Sequence, residues 1–303
     1  MKNINRKEFI KYSSIALASL SFTDKTSLFT GNIPKLSFST LGCPKWDLPQ
    51  IINFASVHGY QGIEIRVIAG ELDLPKSPWF NASRMADTKR MISDKKLIIT
   101  DLGSSAQLHH TNKTELDKNI NEAKRFIDLA SQLECTYVRV FPEKLLNGDL
   151  RKKSLDTIIQ NLKLLGDFAK KSNVKVLLES HGDLVEMDEL QYVMQQTENN
   201  NVGMIWDIHN MWAITKQPPT AVFKKLSPYI KHVHVKDAKM IDGKEQYVLT
   251  GKGDVPLKEA LNLLYQSNYE GFYSLEWEKM WHPEIEEPEI ALAQYPSAVK
   301  KYF

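Results

Sequence analysis

From Lys35 onward, short β-branched runs alternate with longer stretches whose apolar residues recur at a period of about 3.6, and the alternation repeats eight times. The candidate strands are KLSFSTLG (35–42), GIEIRV (62–67), LIITDLG (97–103), TYVRVF (136–141), VKVLLES (174–180), VGMIWDI (202–208), IKHVHV (230–235) and GFYSLEW (271–277). Two of the intervening segments are clearly amphipathic. Leu116, Ile120, Ala123, Ile127 and Ala130 form one stripe over 114–133, with Thr114 as the expected helix cap. Leu155, Ile158, Ile159, Leu162, Leu165 and Phe168 form another over 154–171. Eight strands, each followed by a helical pattern, predict an α/β fold of the (β/α)8 TIM-barrel type as a single domain over 31–303. A doubly wound open sheet is the alternative, but no G-x-G-x-x-G follows the first strand and no P-loop is present.

Composition narrows the partners. The chain of 303 residues carries 39 basic and 37 acidic side chains, a net charge of +2, so it lacks the basic excess of a nucleic-acid binder. No apolar run approaches the roughly 20 residues of a membrane-spanning helix. What remains is a small-molecule partner. Cys43 and Cys135 form no metal-binding spacing and read as two separate buried thiols, with a single bridge as the alternative.

Residues 1–30 differ from the rest. A basic start, the short apolar stretch Ile15–Phe22 and the polar TDKTS have the order of an export signal. Asn5-Arg6-Lys7-Glu8-Phe9-Ile10-Lys11 resembles a bacterial twin-arginine signal, with Lys7 in place of the second arginine. The expectation is export to the periplasm. The alternative is an amphipathic N-terminal helix on a cytoplasmic protein.

In a TIM barrel the chemistry sits where strands end, on side chains that alternate with the core-facing ones. Period two places Glu64 and Arg66 on one face of the second strand and Arg139 between two valines on the fourth. The fifth ends with Glu179 and His181, and the sixth with Asp207 and His209. The seventh carries His232, His234 and Lys236, and the eighth Glu276 and Glu278. One such residue is ordinary strand-end polarity. Charges converging from five or six strands are costly to bury without a partner. Glu179, Asp207, His234 and Glu276, from four consecutive strands, make an oxygen-rich set with one imidazole. That set suits Mn²⁺, Co²⁺ or Mg²⁺, with Zn²⁺ also possible. His232 lies deeper and reads as support beneath the ligands. Parity turns Trp206, Trp277 and Asp237 away from this face.

The segments GYQGIEIR (59–66), VLLESHGD (176–183), MIWDIHN (204–210), HVHVKDA (232–238), GKGDVP (251–256) and YSLEWE (273–278) together resemble the xylose isomerase-like TIM-barrel superfamily of sugar phosphate isomerases and epimerases, over 31–303. The resemblance implies a divalent metal held by Glu179, Asp207, His234 and Glu276. It also implies that Glu179 and Glu276 flank the substrate and move a proton next to its carbonyl. Asn210 departs from relatives that carry histidine there, with His209 one position earlier. The resemblance also implies a small carbohydrate as partner, and the expected activity is sugar isomerisation or epimerisation by proton abstraction α to a carbonyl. Glu64, Arg66, His181, His209 and Lys236 are the expected substrate contacts, and Trp212 and Trp281 could offer a face to a sugar ring. The alternative is a lyase or dehydratase, or a keto-glycoside-cleaving enzyme, on the same barrel. An endonuclease IV-type repair enzyme would need more histidines than the 8 present, and a non-catalytic sugar-binding barrel would not need the ligand quartet.

Overall fold

The structure is a computed structural model and describes residues 33–303, so the expected export signal at 1–30 lies outside the described residues. Its strands are β1 (Lys35–Ser39), β2 (Gly62–Ile65), β3 (Ile98–Gln107), β4 (Tyr137–Phe141), β5 (Lys175–Glu179), β6 (Val202–Asp207), β7 (Ile230–Val235), β8 (Asp237–Ile241), β9 (Lys244–Val248) and β10 (Phe272–Leu275). Eight of them close a parallel barrel in the order β1-β10-β7-β6-β5-β4-β3-β2. All eight expected strands are present in it.

The helices are α1 (Leu48–Val57), α2 (Met85–Asp94), α3 (Lys113–Leu133), α4 (Arg151–Ala169), α5 (Met187–Thr197), α6 (Ile208–Thr215), α7 (Pro219–Leu226), α8 (Leu257–Gln266) and α9 (Pro288–Val299). α3 buries Ile120, Ala123, Ile127 and Ala130 as its stripe predicts, and adds Phe126. Burying a side chain of the size of Ile or Phe contributes about 1.5–3 kcal/mol. Its cap is Asn112, not Thr114: Asn112 Oδ1 accepts from the N–H groups of Thr114 at 3.0 Å and Glu115 at 3.3 Å. Phe168 of α4 is 38% exposed rather than on the buried stripe, with the Lys124 ammonium 5.2 Å from its ring centre.

The strands end where side chains capture their backbone. β2 stops at Ile65 because the N–H groups of Arg66 and Val67 both donate to Thr40 Oγ1, at 2.9 and 3.0 Å. This turns Arg66 out of the ladder at the mouth. Trp206 and Trp277 are sealed on the helix side, Trp277 Nε1 donating to the Glu286 carbonyl at 2.9 Å. Cys43 and Cys135 are separate, buried free thiols. No helix among the described residues is long and apolar enough to cross a membrane.

β8 and β9 are an addition that the strand count does not foresee. They form an antiparallel hairpin outside the barrel, turning at Asp242 and Gly243 with φ of 50° and 75°. An Asp-Gly pair is the dipeptide that a tight hairpin turn with two left-handed residues demands. The hairpin starts at Asp237, whose carboxylate accepts from the N–H groups of Gly251 at 2.8 Å and Gly253 at 2.9 Å. A Cβ on Gly253 would stand 2.1 Å from Asp237 Oδ1, so only glycine lets the GKGDVP loop close on it.

Candidate functional site

The C-terminal ends of β5, β6, β7 and β10 bring Glu179, Asp207, His234 and Glu276 together. Each offers one ligand atom, and these atoms all lie within 4.8 Å of one another. The sheet sets this spacing. Asp207 pairs with His234 and His234 with Ser274 across neighbouring strands, and Glu276 N–H extends the ladder by donating to the Val235 carbonyl at 3.0 Å. His234 Nδ1 stands 3.3 Å from Glu179 Oε1, 3.3 Å from Glu276 Oε1 and 3.9 Å from Asp207 Oδ2. Asp207 also caps α6, its Oδ1 accepting from Asn210 N–H at 2.8 Å, while Oδ2 faces the Lys236 ammonium at 2.9 Å. Three carboxylates and one imidazole, all buried at one spot, are a donor set that fits a divalent cation with oxygen preference.

Beneath them lies a polar floor. Glu64, on β2, is fully buried and its Oε2 accepts from His234 Nε2 at 2.9 Å, His232 Nε2 at 3.0 Å and Ser274 Oγ at 3.1 Å. An ionised carboxylate only accepts, so Nε2 of His234 carries a proton and Nδ1 is the nitrogen presented to the quartet. His232 is thus a support, as its depth in the strand suggests. Glu64, expected as a substrate contact, sits instead below the ligand histidine. The neighbouring Asp101 has both carboxylate oxygens buried without a partner, and burial together with the Glu64 charge pushes it well above the ordinary aspartate range.

Two cations complete the cluster. Lys236 Nζ donates to Glu276 Oε2 and Glu278 Oε1, each at 2.7 Å, and lies 2.9 Å from Asp207 Oδ2. Arg139 Nη1 donates to Glu179 Oε2 at 3.1 Å and to Glu276 Oε1 at 3.5 Å. Arg139 is noticeable in the sequence only as a charge between valines, because its partners come from β5 and from beyond β10.

These charges set the protonation states. Burial works against ionising Glu276, but His234, Lys236 and Arg139 outweigh it and hold the carboxyl well below its usual range. For Glu179, burial and the Glu276 charge push up while His234 and Arg139 pull down, and the net shift is downward. Asp207 moves up, chiefly from burial, with Lys236 only partly offsetting the repulsion of the two glutamates. His234 rises well above an ordinary histidine, since Glu276, Glu64 and Glu179 overcome the cost of burying its charge.

The remaining expected contacts line the mouth. His181 Nδ1 is 3.1 Å from Glu143 Oε1, and its ring packs 4.6 Å from Phe141. His209 Nε2 is 3.1 Å from Glu245 Oε1 of the hairpin, and its ring meets Tyr247 edge-on at 5.3 Å. Arg66 lies against Arg139 across Gly103. Of the two exposed-ring candidates, Trp281 is 53% exposed and Trp212 stacks under the Lys216 ammonium at 3.7 Å. Glu245 and Tyr247 are additions to the site, because the hairpin that carries them is absent from the strand count.

Comparison with known proteins agrees with this architecture. A family model described as xylose isomerase-like TIM barrel matches residues 52–295. An inosose dehydratase of Clostridium tetani is 29% identical over 157 residues, 46% of this chain, and the match spans about half (51%) of that relative's length. A 3-dehydroshikimate dehydratase of Bacillus anthracis is 23% identical over 243 residues, covering 75% of this chain and 84% of the relative. Among solved structures, the probable 3-DHS dehydratase AsbF of Bacillus anthracis superposes with a TM-score of 0.73 at 18% identity, covering 88% of this chain and 98% of that one. The IOLI protein with a bound zinc atom gives 0.73 at 19%, covering 89% and 99%. A D-psicose 3-epimerase from Clostridium cellulolyticum gives 0.70 at 15%, covering 88% and 98%. At such identities the superpositions establish the fold.

Proposed function

The chain belongs to the xylose isomerase-like TIM barrel family, and on that premise we propose that it is a divalent-metal-dependent lyase that dehydrates a small polyhydroxylated ketone. The observation that carries the reading is the convergence of Glu179, Asp207, His234 and Glu276 from four consecutive barrel strands. Those residues would hold the cation. When bound, it supplies Lewis-acid polarisation of the substrate carbonyl, which acidifies the adjacent C–H. The choice of elimination over isomerisation draws support from the dehydratase relatives.

The protein's own groups divide the work by charge. Glu179 is held ionised and serves as the base that takes the α-proton. The C–H electron pair becomes the enolate, and its collapse expels the β-hydroxyl to leave an α,β-unsaturated ketone. The departing hydroxyl takes a proton from the Lys236 ammonium, which the Glu276 carboxylate holds in place at 2.7 Å, and leaves as water. Arg139, touching both glutamates, keeps them in place on either side of His234. The hairpin residues Glu245 and Tyr247, with His209, cover the mouth against bulk water.

Epimerisation is the second reading. One geometric fact favours it: Glu179 and Glu276 each stand 3.3 Å from His234 Nδ1, so the site holds two carboxylates, the number that a two-base proton exchange uses. The test is incubation of the manganese-loaded protein with cyclic ketopolyols and ketohexoses in D2O. Growth of enone absorbance supports elimination, and deuterium in a recovered epimer supports exchange. The lyase reading fails if Glu179→Gln and Glu276→Gln leave both metal content and turnover intact. We also assign catalysis to residues 31–303 and export to residues 1–30, which the mass of the chain recovered from a periplasmic fraction would check.

A further inference from the structure

Three cationic side chains are buried in the barrel: Arg66, Arg139 and Lys236. Arg139 and Lys236 each meet two or more carboxylates. Arg66 is the exception. It is 5% exposed, yet forms no ion pair among the described residues. Its Nη1 and Nη2 donate only to neutral oxygens, the Gly103 carbonyl at 3.3 Å and the Ser105 hydroxyl at 2.7 Å. Part of its donor fork is left unused. The nearby Glu122 carboxylate is engaged by the Ser105 N–H at 2.6 Å.

The placement is built rather than incidental. Thr40 Oγ1 fixes the Arg66 backbone at 2.9 Å. A Cβ at position 103 would stand 2.8 Å from Arg66 Cδ and 3.1 Å from Arg139 Nη2, so glycine there admits both guanidiniums side by side. Burial and the Arg139 charge pull Arg66 down to about 9, outweighing the opposing charges of Glu122, Glu276 and Glu179. A buried charge ordinarily has a direct partner, and among the described residues no carboxylate lies within ion-pair distance of Arg66. Through Arg139, the side chain adjoins Glu179 and Glu276.

We infer that Arg66 anchors a carboxylate on the substrate, so that the site takes an acidic polyhydroxylated ketone in preference to a neutral one. This rests on the function proposed above and names its substrate class. A carboxylate is favoured over a phosphate because one planar guanidinium fork matches it, whereas a dianion would call for further cations at the same spot.

Calorimetric titration of the manganese-loaded full chain with shikimate, methyl shikimate and inorganic phosphate tests the idea. Shikimate should bind about tenfold or more tightly than its methyl ester, the scale of one charge-assisted contact. Arg66→Gln should abolish that difference, and Arg66→Lys should keep part of it. Equal affinity of acid and ester for the unaltered protein, no binding of the acid at millimolar concentration, or an unchanged preference in Arg66→Gln would each overturn the inference, as would tighter binding of phosphate than of shikimate. The acid–ester comparison needs no variant, so it stands even if Arg66→Gln folds poorly. Turnover of a neutral cyclic ketopolyol that falls as far in Arg66→Gln as turnover of an acidic one would also sink it, while leaving the proposed dehydration in place.

Discussion

Glu64 Oε2 and His234 Nε2 stand 2.9 Å apart in a sealed pocket, and the same oxygen receives His232. The carboxylate therefore fixes which nitrogen of His234 faces Glu179, Asp207 and Glu276. Partners of this kind are worth about 10–100-fold in metal affinity. Glu64→Gln keeps the volume and removes the charge. It should weaken Mn²⁺ or Zn²⁺ binding by about that factor while the circular dichroism spectrum is unchanged; unaltered affinity would show that His234 needs no such partner.

Lys236 is buried among Asp207, Glu276 and Glu278. Removing one member of a buried ion cluster costs about 3–5 kcal/mol, because the remaining charges lose their compensation. Lys236→Met should lower the stability of metal-stripped protein by about that amount in urea denaturation. Excess Mn²⁺ should restore more stability to this variant than to the unaltered protein, since the cation would neutralise Asp207 and Glu276. An equal gain in both proteins would count against shared carboxylates.

Asp237 holds the loop that follows the hairpin through the N–H groups of Gly251 and Gly253. Asp237→Ala strands those donors, at a cost of about 1–3 kcal/mol. Limited proteolysis should then cut within 249–255 well before the barrel unfolds. Asp237→Asn keeps one acceptor and should behave in between.

Acid should act on a different contact. Arg125 lies 2.6 Å and Lys76 2.9 Å from Asp73, and they hold its carboxyl below the usual range although burial opposes them. A depressed folded value means stability that is present above the unfolded value, about 3.9, and lost as the pH falls through the folded one. Asp73→Asn should therefore be less stable than the parent at neutral pH, and the gap should close only in acid below about pH 4. A gap that persists at pH 2 would point to packing instead of charge.

The barrel and the convergence of Glu179, Asp207, His234 and Glu276 were legible because both follow from period two: a strand buried on one face announces which residues face the other. Depth along that face was not legible. Glu64 and Arg66 share parity, yet register with Ser39 and Asp101 places Glu64 under His234, while Thr40 pulls Arg66 to the mouth. Arg139 stands out as an isolated charge, but its partners lie 40 and 137 residues away and only barrel closure joins them. The hairpin escaped notice although Asp242-Gly243 marks its turn, because a strand count that already reaches eight leaves no reason to look for two more. Asn112 prevailed over Thr114 as cap because its side chain reaches two N–H groups at once.

Asp207, His234 and Ser274 form one rung across β6, β7 and β10. The distances among the donor atoms are thus inherited from backbone pairing in a sheet enclosed on both sides. Small domains that fold around their ion build the cage and the binding step together. Here the cage comes with the chain. On the proposed reading, exchanging one divalent ion for another would change the tenant of the centre and leave its walls standing.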